Sequence, residues 1–405
     1  MAKSTTRKKK SKAGATPDGF PLWKHPSGRW CKKIRGKAHY FGKVADDPDG
    51  EKALERFLDE KDDLLAGRTP RRHGQSGPMV HDLLETFLDV KWGLVESGEL
   101  SKRTFRDYKI TSDGIIDNIG KKRLLSDLGP DDFAGYRKKL AKRLGPVALG
   151  NEIQRIRTVF GFAYDSDLID RPIKFGPGFK RPSKRVVRVA RKKNGLRMLE
   201  AEQLRTVLNS SKGQLKAMIL LGINAGLGAA DLARLRNSHL DLKAGWLDYP
   251  RPKTGVDRRV PLWPETIKAI REVIAKRPKP KDKKHAGLVF ITKYGFPWVR
   301  MSPLKEDKDG KPRGGVPLDA IGAQFSKVLK ETDLKRPGLG FYCLRHTLET
   351  IGGEVRDQIA LDAIMGHIRD DMASVYRERI SDERLRAVTD YVRNWLFPPK
   401  KKRVE

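Results

Sequence analysis

Apolar positions follow three different rhythms along the chain. Between Gly19 and Gly42 they come as short β-like pieces: Phe20-Pro21-Leu22-Trp23, then Arg29–Ile34, then Ala38–Phe41. Pro26-Ser27-Gly28 and Arg35-Gly36-Lys37 supply the turns between them. From about Glu51 the period lengthens. Leu54, Phe57, Leu58, Asp62 and Leu65 fall roughly on one helical face, and Gly67 ends that helix. Helical periodicity then runs to about Asp170. Leu83, Leu84, Phe87, Leu88 and Leu94 form one face, Phe105, Tyr108, Ile115, Ile116 and Ile119 a second, and Ile153, Ile156, Val159, Phe160 and Ala163 a third. Beyond residue 196, helices alternate with short strands at Gly245–Tyr249, Arg258–Leu262 and Leu288–Ile291. Lys305–Pro317 reads as a flexible insertion. Ser381 is placed to cap a last helix reaching about Leu396, with Leu385, Val388, Tyr391, Val392 and Trp395 along one side.

These rhythms predict a mainly α protein with small β-sheets, an α+β chain of several domains. The expected division is a basic disordered arm (1–17), a small sheet-plus-helix module (18–67), a helical domain (78–171), a basic linker (172–195), a C-terminal domain (196–397) and a basic tail (398–405). A length of 405 residues agrees, since it exceeds what one hydrophobic core usually serves.

Charge narrows the partner. The chain has 85 Lys+Arg against 51 Asp+Glu, a formal net charge of +34, and the basic residues occur in every segment. Such an excess repels itself unless it faces a polyanion, and nucleic acid gains the most from it through counterion release. No membrane partner is expected, because the longest apolar run is Ala217–Ile223 and no basic amphipathic helix with an aromatic face stands out. Without a secretory leader, and with only Cys31 and Cys343, the expected setting is intracellular, in cytoplasm or nucleoid. Pro399-Lys400-Lys401-Lys402-Arg403 resembles a nuclear-import signal and equally suits a tail that touches phosphate. In the small module Trp23, Trp30 and Tyr40 stand among lysines and arginines, either to lie on DNA or to pack on the following helix.

No cofactor or metal is expected. The eight histidines lack ligand spacing, and no Gly-x-x-x-x-Gly-Lys-Ser/Thr loop occurs. Ala217–Ile223 followed by Gly226-Leu227-Gly228 imitates a dinucleotide fingerprint. However, its third glycine position is Asp231, and Leu215, Ile219 and Ile223 recur at helical spacing.

The chemistry gathers in the last third. Leu344-Arg345-His346-Thr347 is followed by Met365-Gly366-His367, and Tyr376 comes nine residues after His367. Upstream, Pro252-Lys253-Thr254-Gly255 and Arg258-Arg259-Val260-Pro261-Leu262 read as a β-hairpin with Lys253 near its turn. Taken separately, each is ordinary: Arg345 could pair with Glu349 one helical turn on. In this order and spacing they resemble the tyrosine recombinase, or phage-type integrase, family. The resemblance covers most of the chain, with the specific motifs within about 220–380. It implies a site-specific DNA recombinase acting on duplex DNA at specific sites in a mobile element, with self-association from dimer to tetramer. Tyr376 would be the nucleophile forming a 3′-phosphotyrosyl bond, Arg345 the guanidinium on the non-bridging oxygens, Lys253 the proton donor to the leaving oxygen, and His367 a ligand of the phosphate or a guide for the tyrosine.

Two positions depart from the family pattern. The residue matching the first catalytic arginine is Gly228, in Gly226-Leu227-Gly228-Ala229-Ala230-Asp231. The histidine usual three residues before the second arginine is Tyr342, which keeps a hydroxyl able to donate to phosphate. Arg234, Arg236 and His346 are candidate replacements. The alternative reading is a DNA-binding relic or regulator with little or no cleavage.

Overall fold

The computed structural model describes residues 19–67, 69–70, 77–302, 305–306, 312–313, 315–368, 371–372 and 376–399. The predicted arm at 1–17 and the basic run Lys400–Arg403 lie outside the described residues. By its contacts the chain separates into two units, Met1–Val187 and Arg188–Glu405.

The first unit begins with an antiparallel sheet in the order β1 (Trp23–His25), β2 (Arg29–Ile34), β3 (Lys37–Lys43). Helix α1 (Glu51–Leu65) covers it, burying Phe57 and Leu64 against Trp30, Ile34 and Phe41. The three aromatics do not share one environment. Trp30 is buried and donates from Nε1 to the Asp47 carbonyl, whereas Trp23 and Tyr40 are exposed. Four helices follow: α2 (Val80–Glu96), α3 (Lys102–Ile119), α4 (Pro130–Arg143) and α5 (Pro146–Asp165). Ser101 caps α3 by accepting from the Thr104 amide, and a proline opens each of α4 and α5, where no amide partner is needed. Their apolar faces meet around Leu83, Phe87, Ile115, Phe133, Ile156 and Phe160. Within the stretch read as a linker, Lys184–Lys193 forms a helix, α6, that buries no residue.

The second unit is built around α8 (Gly213–Asn224), whose residues from Ala217 to Asn224 are all buried. A helix, not a strand, therefore precedes Gly226-Leu227-Gly228. Helix α7 (Ala201–Ser210) comes before it, and the single-turn α9 (Ala229–Leu232) after. An antiparallel sheet β4 (Leu240–Asp241), β5 (Trp246–Asp248), β6 (Arg259–Pro261) follows, then α10 (Pro264–Ala275). Buried Asn224 ties α8 to this sheet, donating to the Pro261 carbonyl and accepting from the Trp263 amide.

Leu288–Ile291 does not form the expected strand. Its buried side chains fill the core, and among the described residues its one β-bridge joins Leu288 and Arg236. The predicted flexible insertion is partly paired. Strand β7 (Val299–Met301) bonds β10 (Pro317–Asp319), and β8 (Lys305–Glu306) bonds β9 (Pro312–Arg313). Helices α11 (Ala320–Glu331), α12 (Cys343–Gly352), α13 (Gln358–Met365) and α14 (Asp382–Leu396) complete the unit. Ser381 stands at the N-cap of α14 without a capping bond from its side chain.

Candidate functional site

Arg345 lies in the first turn of α12, on the face that turns into the protein, and only 3% of it is exposed. A buried guanidinium needs acceptors, and two backbone carbonyls supply them. Nη1 donates to Gly226 at 2.7 Å and Nη2 to Met365 at 2.5 Å. The side chain therefore joins the loop after α8 to the end of α13, and it does not pair with Glu349. Both joined segments turn on left-handed glycines, Gly226 at φ 64° and Gly366 at φ 62°. A Cβ at Gly226 would come within 2.8 Å of Met365 Sδ, and one at Gly366 within 2.8 Å of Arg258 Cδ and 3.0 Å of Arg251 Cδ. Burial, then the charge of Arg251, hold the Arg345 guanidinium below its ordinary pKa.

The hairpin predicted around Lys253 closes between Arg251 and Val256, with the Arg251 amide donating to the Val256 carbonyl at 2.8 Å. Arg251 Nη1 and Thr254 Oγ1 both donate to the Gly366 carbonyl, at 3.0 and 3.3 Å. These bonds set the hairpin on the Met365-Gly366-His367 turn, with Lys253 exposed near its tip. The His367 amide donates to the Asp362 carbonyl, and ring Nδ1 lies 3.3 Å from Asp362 Oδ1 and 3.9 Å from Glu349 Oε2. Donor atoms of Glu349, Asp362 and His367 lie within 4.8 Å of one another, close enough to hold a cation. Gln358 Nε2 already donates to both carboxylates, so hydrogen bonding accounts for the cluster.

Tyr342 stands at the N-cap position of α12, without a capping bond from its side chain, and is half exposed. Its ring meets His346 edge-on at 5.4 Å and lies 3.9 Å from where a Cβ on Gly228 would stand. Gly228 itself has an ordinary φ of −81°, and its amide donates to Asp231 Oδ2 at 3.1 Å, opening α9.

The structure thus gathers Arg345, His367 and the Lys253 hairpin around Gly366, with Tyr342 facing Gly228. It does not bring Tyr376 into contact with them. Its residue is 77% exposed, and its hydroxyl makes no hydrogen bond to a described residue. Arg377–Ile380, just after it, line a cavity of about 670 Å³ together with Tyr249, Arg258 and His367.

Arg258 belongs to the site although no motif marks it as a site residue. Its side chain is wholly buried. Nε donates to the Tyr249 carbonyl at 3.0 Å, the guanidinium lies 5.1 Å from the Tyr249 ring centre, and Nη1 is 3.6 Å from Asp231 Oδ2. Burial lowers its pKa, while burial and Asp231 push the Tyr249 phenol up to about 12. A signal was present. Period-two alternation through Arg258-Arg259-Val260 turns Arg258 to the same side as buried Val260, while Arg259 faces out to Asp248 and Asp382. The replacements read from sequence lie elsewhere or are otherwise engaged. Arg234 is exposed, Arg236 points at Gly287, and His346, half-buried against Tyr342, has its pKa lowered by burial and by Arg197 and Arg345.

Residues 195–383 match the Phage integrase family. No curated protein sequence matches the chain. Among solved structures, the lambda integrase dimer bound to a COC′ core site is similar at 15% identity and a TM-score of 0.51, over 92% of this chain and 99% of that one. The lambda integrase tetramer bound to a Holliday junction gives the same identity, coverage and score. The Tn1549 transposon integrase in complex with transposon right end DNA is similar at 16% identity and a TM-score of 0.53, over 78% of this chain and 100% of that one.

Proposed function

The chain has the tyrosine recombinase fold, with a phage integrase match over residues 195–383, and we propose that it is a site-specific DNA recombinase working through a 3′-phosphotyrosyl intermediate. The observation that carries this reading is the seating of Arg345, fixed by two carbonyls beside the His367 turn on which the Lys253 hairpin rests.

A guanidinium held this rigidly reorganises little as negative charge builds on the non-bridging oxygens of a phosphodiester. The Tyr376 hydroxyl attacks phosphorus, giving its proton to His367 Nε2 and forming the tyrosyl ester as the bond to the 5′ oxygen breaks. Lys253 Nζ gives that oxygen its proton. Resealing reverses each step, with a 5′ hydroxyl of the partner strand as the attacking group. Each direction exchanges one phosphoester for another, so the bond energy is kept. Asp362 orients His367 by accepting from Nδ1, which leaves Nε2 to take up the tyrosine's proton and then, charged, to face the phosphate. Tyr376 is exposed, so its hydroxyl is open to a phosphate of bound DNA. Double-stranded DNA is the partner. The exposed Trp23 and Tyr40, with Lys24 and Arg29 on the same small sheet, suit a groove or a second site, and copies of the chain assemble on DNA as dimers to tetramers.

Gly228 and Tyr342 favour the second reading, a DNA-binding relic. One experiment separates the two. The protein is incubated with nicked duplexes carrying the candidate attachment site, taken from the ends of the element that encodes it. A denaturation-resistant adduct that Tyr376→Phe abolishes supports the recombinase. Tight, salt-sensitive binding without an adduct supports the relic.

A further inference from the structure

Burying the end of a charged side chain without hydrogen-bond acceptors is costly, and the terminal nitrogens of Arg258 are in that position. Its side chain is wholly buried, yet neither Nη1 nor Nη2 hydrogen-bonds a described residue. The nearest carboxylate, Asp231, stands 3.6 Å from Nη1, and its same oxygen accepts the Gly228 amide. Positive charge accumulates here. Arg251 and Arg258 both pack on the Gly366 turn, and Arg345 lies close enough to feel the charge of each, with Asp231 the acidic group acting on it. What such a cluster still requires is an anion.

Resting on the recombinase reading above, we propose that Arg258 is a catalytic residue whose terminal nitrogens bind a non-bridging oxygen of the scissile phosphate, replacing from strand β6 the guanidinium that the family carries at the position of Gly228. The placement follows from Asp231. One carboxylate oxygen faces both the Gly228 amide and Arg258 Nη1, so the guanidinium stands beside the backbone from which an arginine at 228 would extend. The stem is held as a phosphate ligand must be, by Nε on the Tyr249 carbonyl and by the Tyr249 ring beneath. Two planar forks, Arg258 and Arg345, would then share the charge of the transition state.

The competing role is purely structural, a buried strut between Tyr249 and Gly366, and Gly228 makes the two separable. Its φ is ordinary, and an added Cβ meets nothing nearer than 3.8 Å, so an arginine can be placed there. Full-length protein is assayed for adduct formation on the nicked attachment-site duplex. Arg258→Gln slows the adduct by about 10²–10³-fold while DNA binding persists. Adding Gly228→Arg to that variant restores about tenfold or more of the lost rate, which no repair of a strut would do. Should Arg258→Gln fail to fold by circular dichroism, Arg258→Lys takes its place, slower than wild type and recovered by the same second substitution. A variant at the wild-type rate, or a loss that Gly228→Arg leaves unrestored, overturns the assignment and leaves the recombinase reading standing. A wild-type protein that forms no adduct overturns both.

Discussion

At the scale of single residues, the proposed site depends on two glycines, Gly226 and Gly366, and two buried arginines, Arg345 and Arg258. Gly366 holds a left-handed conformation with Arg251 and Arg258 pressed against it, so Gly366→Ala is expected to destabilise the protein by about 1–2 kcal/mol from backbone strain, and more from the displaced side chains. A urea midpoint unchanged from wild type would show that the turn tolerates a Cβ. Arg345→Ala is expected to abolish the covalent adduct while DNA binding stays nearly intact. Equal loss of both would make Arg345 an anchor of the two carbonyls it joins. The motif residues Arg345, His367 and Lys253 were legible in the sequence because their spacing is fixed by the chemistry they resemble. Arg258 was not, because an arginine beside a second arginine on a basic chain reads as surface charge until the strand's alternation is followed inward. The division of the arm aromatics into buried Trp30 and exposed Trp23 and Tyr40 was equally hidden, since it depends on which face α1 covers.

At the scale of elements, α14 is bolted to the rest of its unit by carboxylate–guanidinium pairs. Arg384 makes two bonds of 2.7 Å to Asp357, whose side chain also caps α13 by accepting from the Ala360 amide, and Arg393 makes two bonds to Glu265. The hydrogen bonds from Arg384 and Arg393 hold these carboxyls below their usual pKa. A depressed carboxylate pKa adds stability above the unfolded value of about 4, and that stability is lost as pH falls through the folded value. The arginines are about a third or more exposed, so each pair contributes less than about 1 kcal/mol. Urea midpoints are therefore expected to drop between pH 7 and pH 3, and to drop less in Arg384→Ala/Arg393→Ala. An equal drop in both proteins would place the acid sensitivity elsewhere.

Elements with a strong period were read closely from sequence: β2, α1 and the body of α14 fall where the pattern puts them. Two failed for identifiable reasons. Leu288–Ile291 is a short apolar run, and such runs fit a buried irregular segment as well as a strand. Helix α6 does carry an apolar stripe, Val186, Val187, Val189 and Ala190, but it is one short stripe that buries no residue. Set among lysines and arginines between Pro182 and Gly195, the stretch reads as a linker; Ser183 Oγ accepts the Val186 amide at its start.

At the scale of the whole molecule, charge and order of parts matter most. Among the described residues no helix is long and apolar enough to cross a membrane, and a net charge of +34 is spread through both units. DNA affinity is therefore expected to fall log-linearly with salt, by about 10³-fold or more between about 50 and 200 mM if six or more phosphates are engaged. A flat salt response would remove the phosphate backbone as the main partner. The small sheet module, the helical bundle and the motif-bearing unit all follow from hydrophobic rhythm, because each buries its own core. The position of Tyr376 did not follow from it, since the side chain is exposed and belongs to none of these cores. The most direct measurement is accordingly to digest the covalent protein–DNA adduct with trypsin and find the nucleotide-bearing peptide by mass spectrometry. The nucleotide is expected on Tyr376, in the peptide from Asp370 to Arg377. A nucleotide on any other residue, or none on the protein, would contradict it.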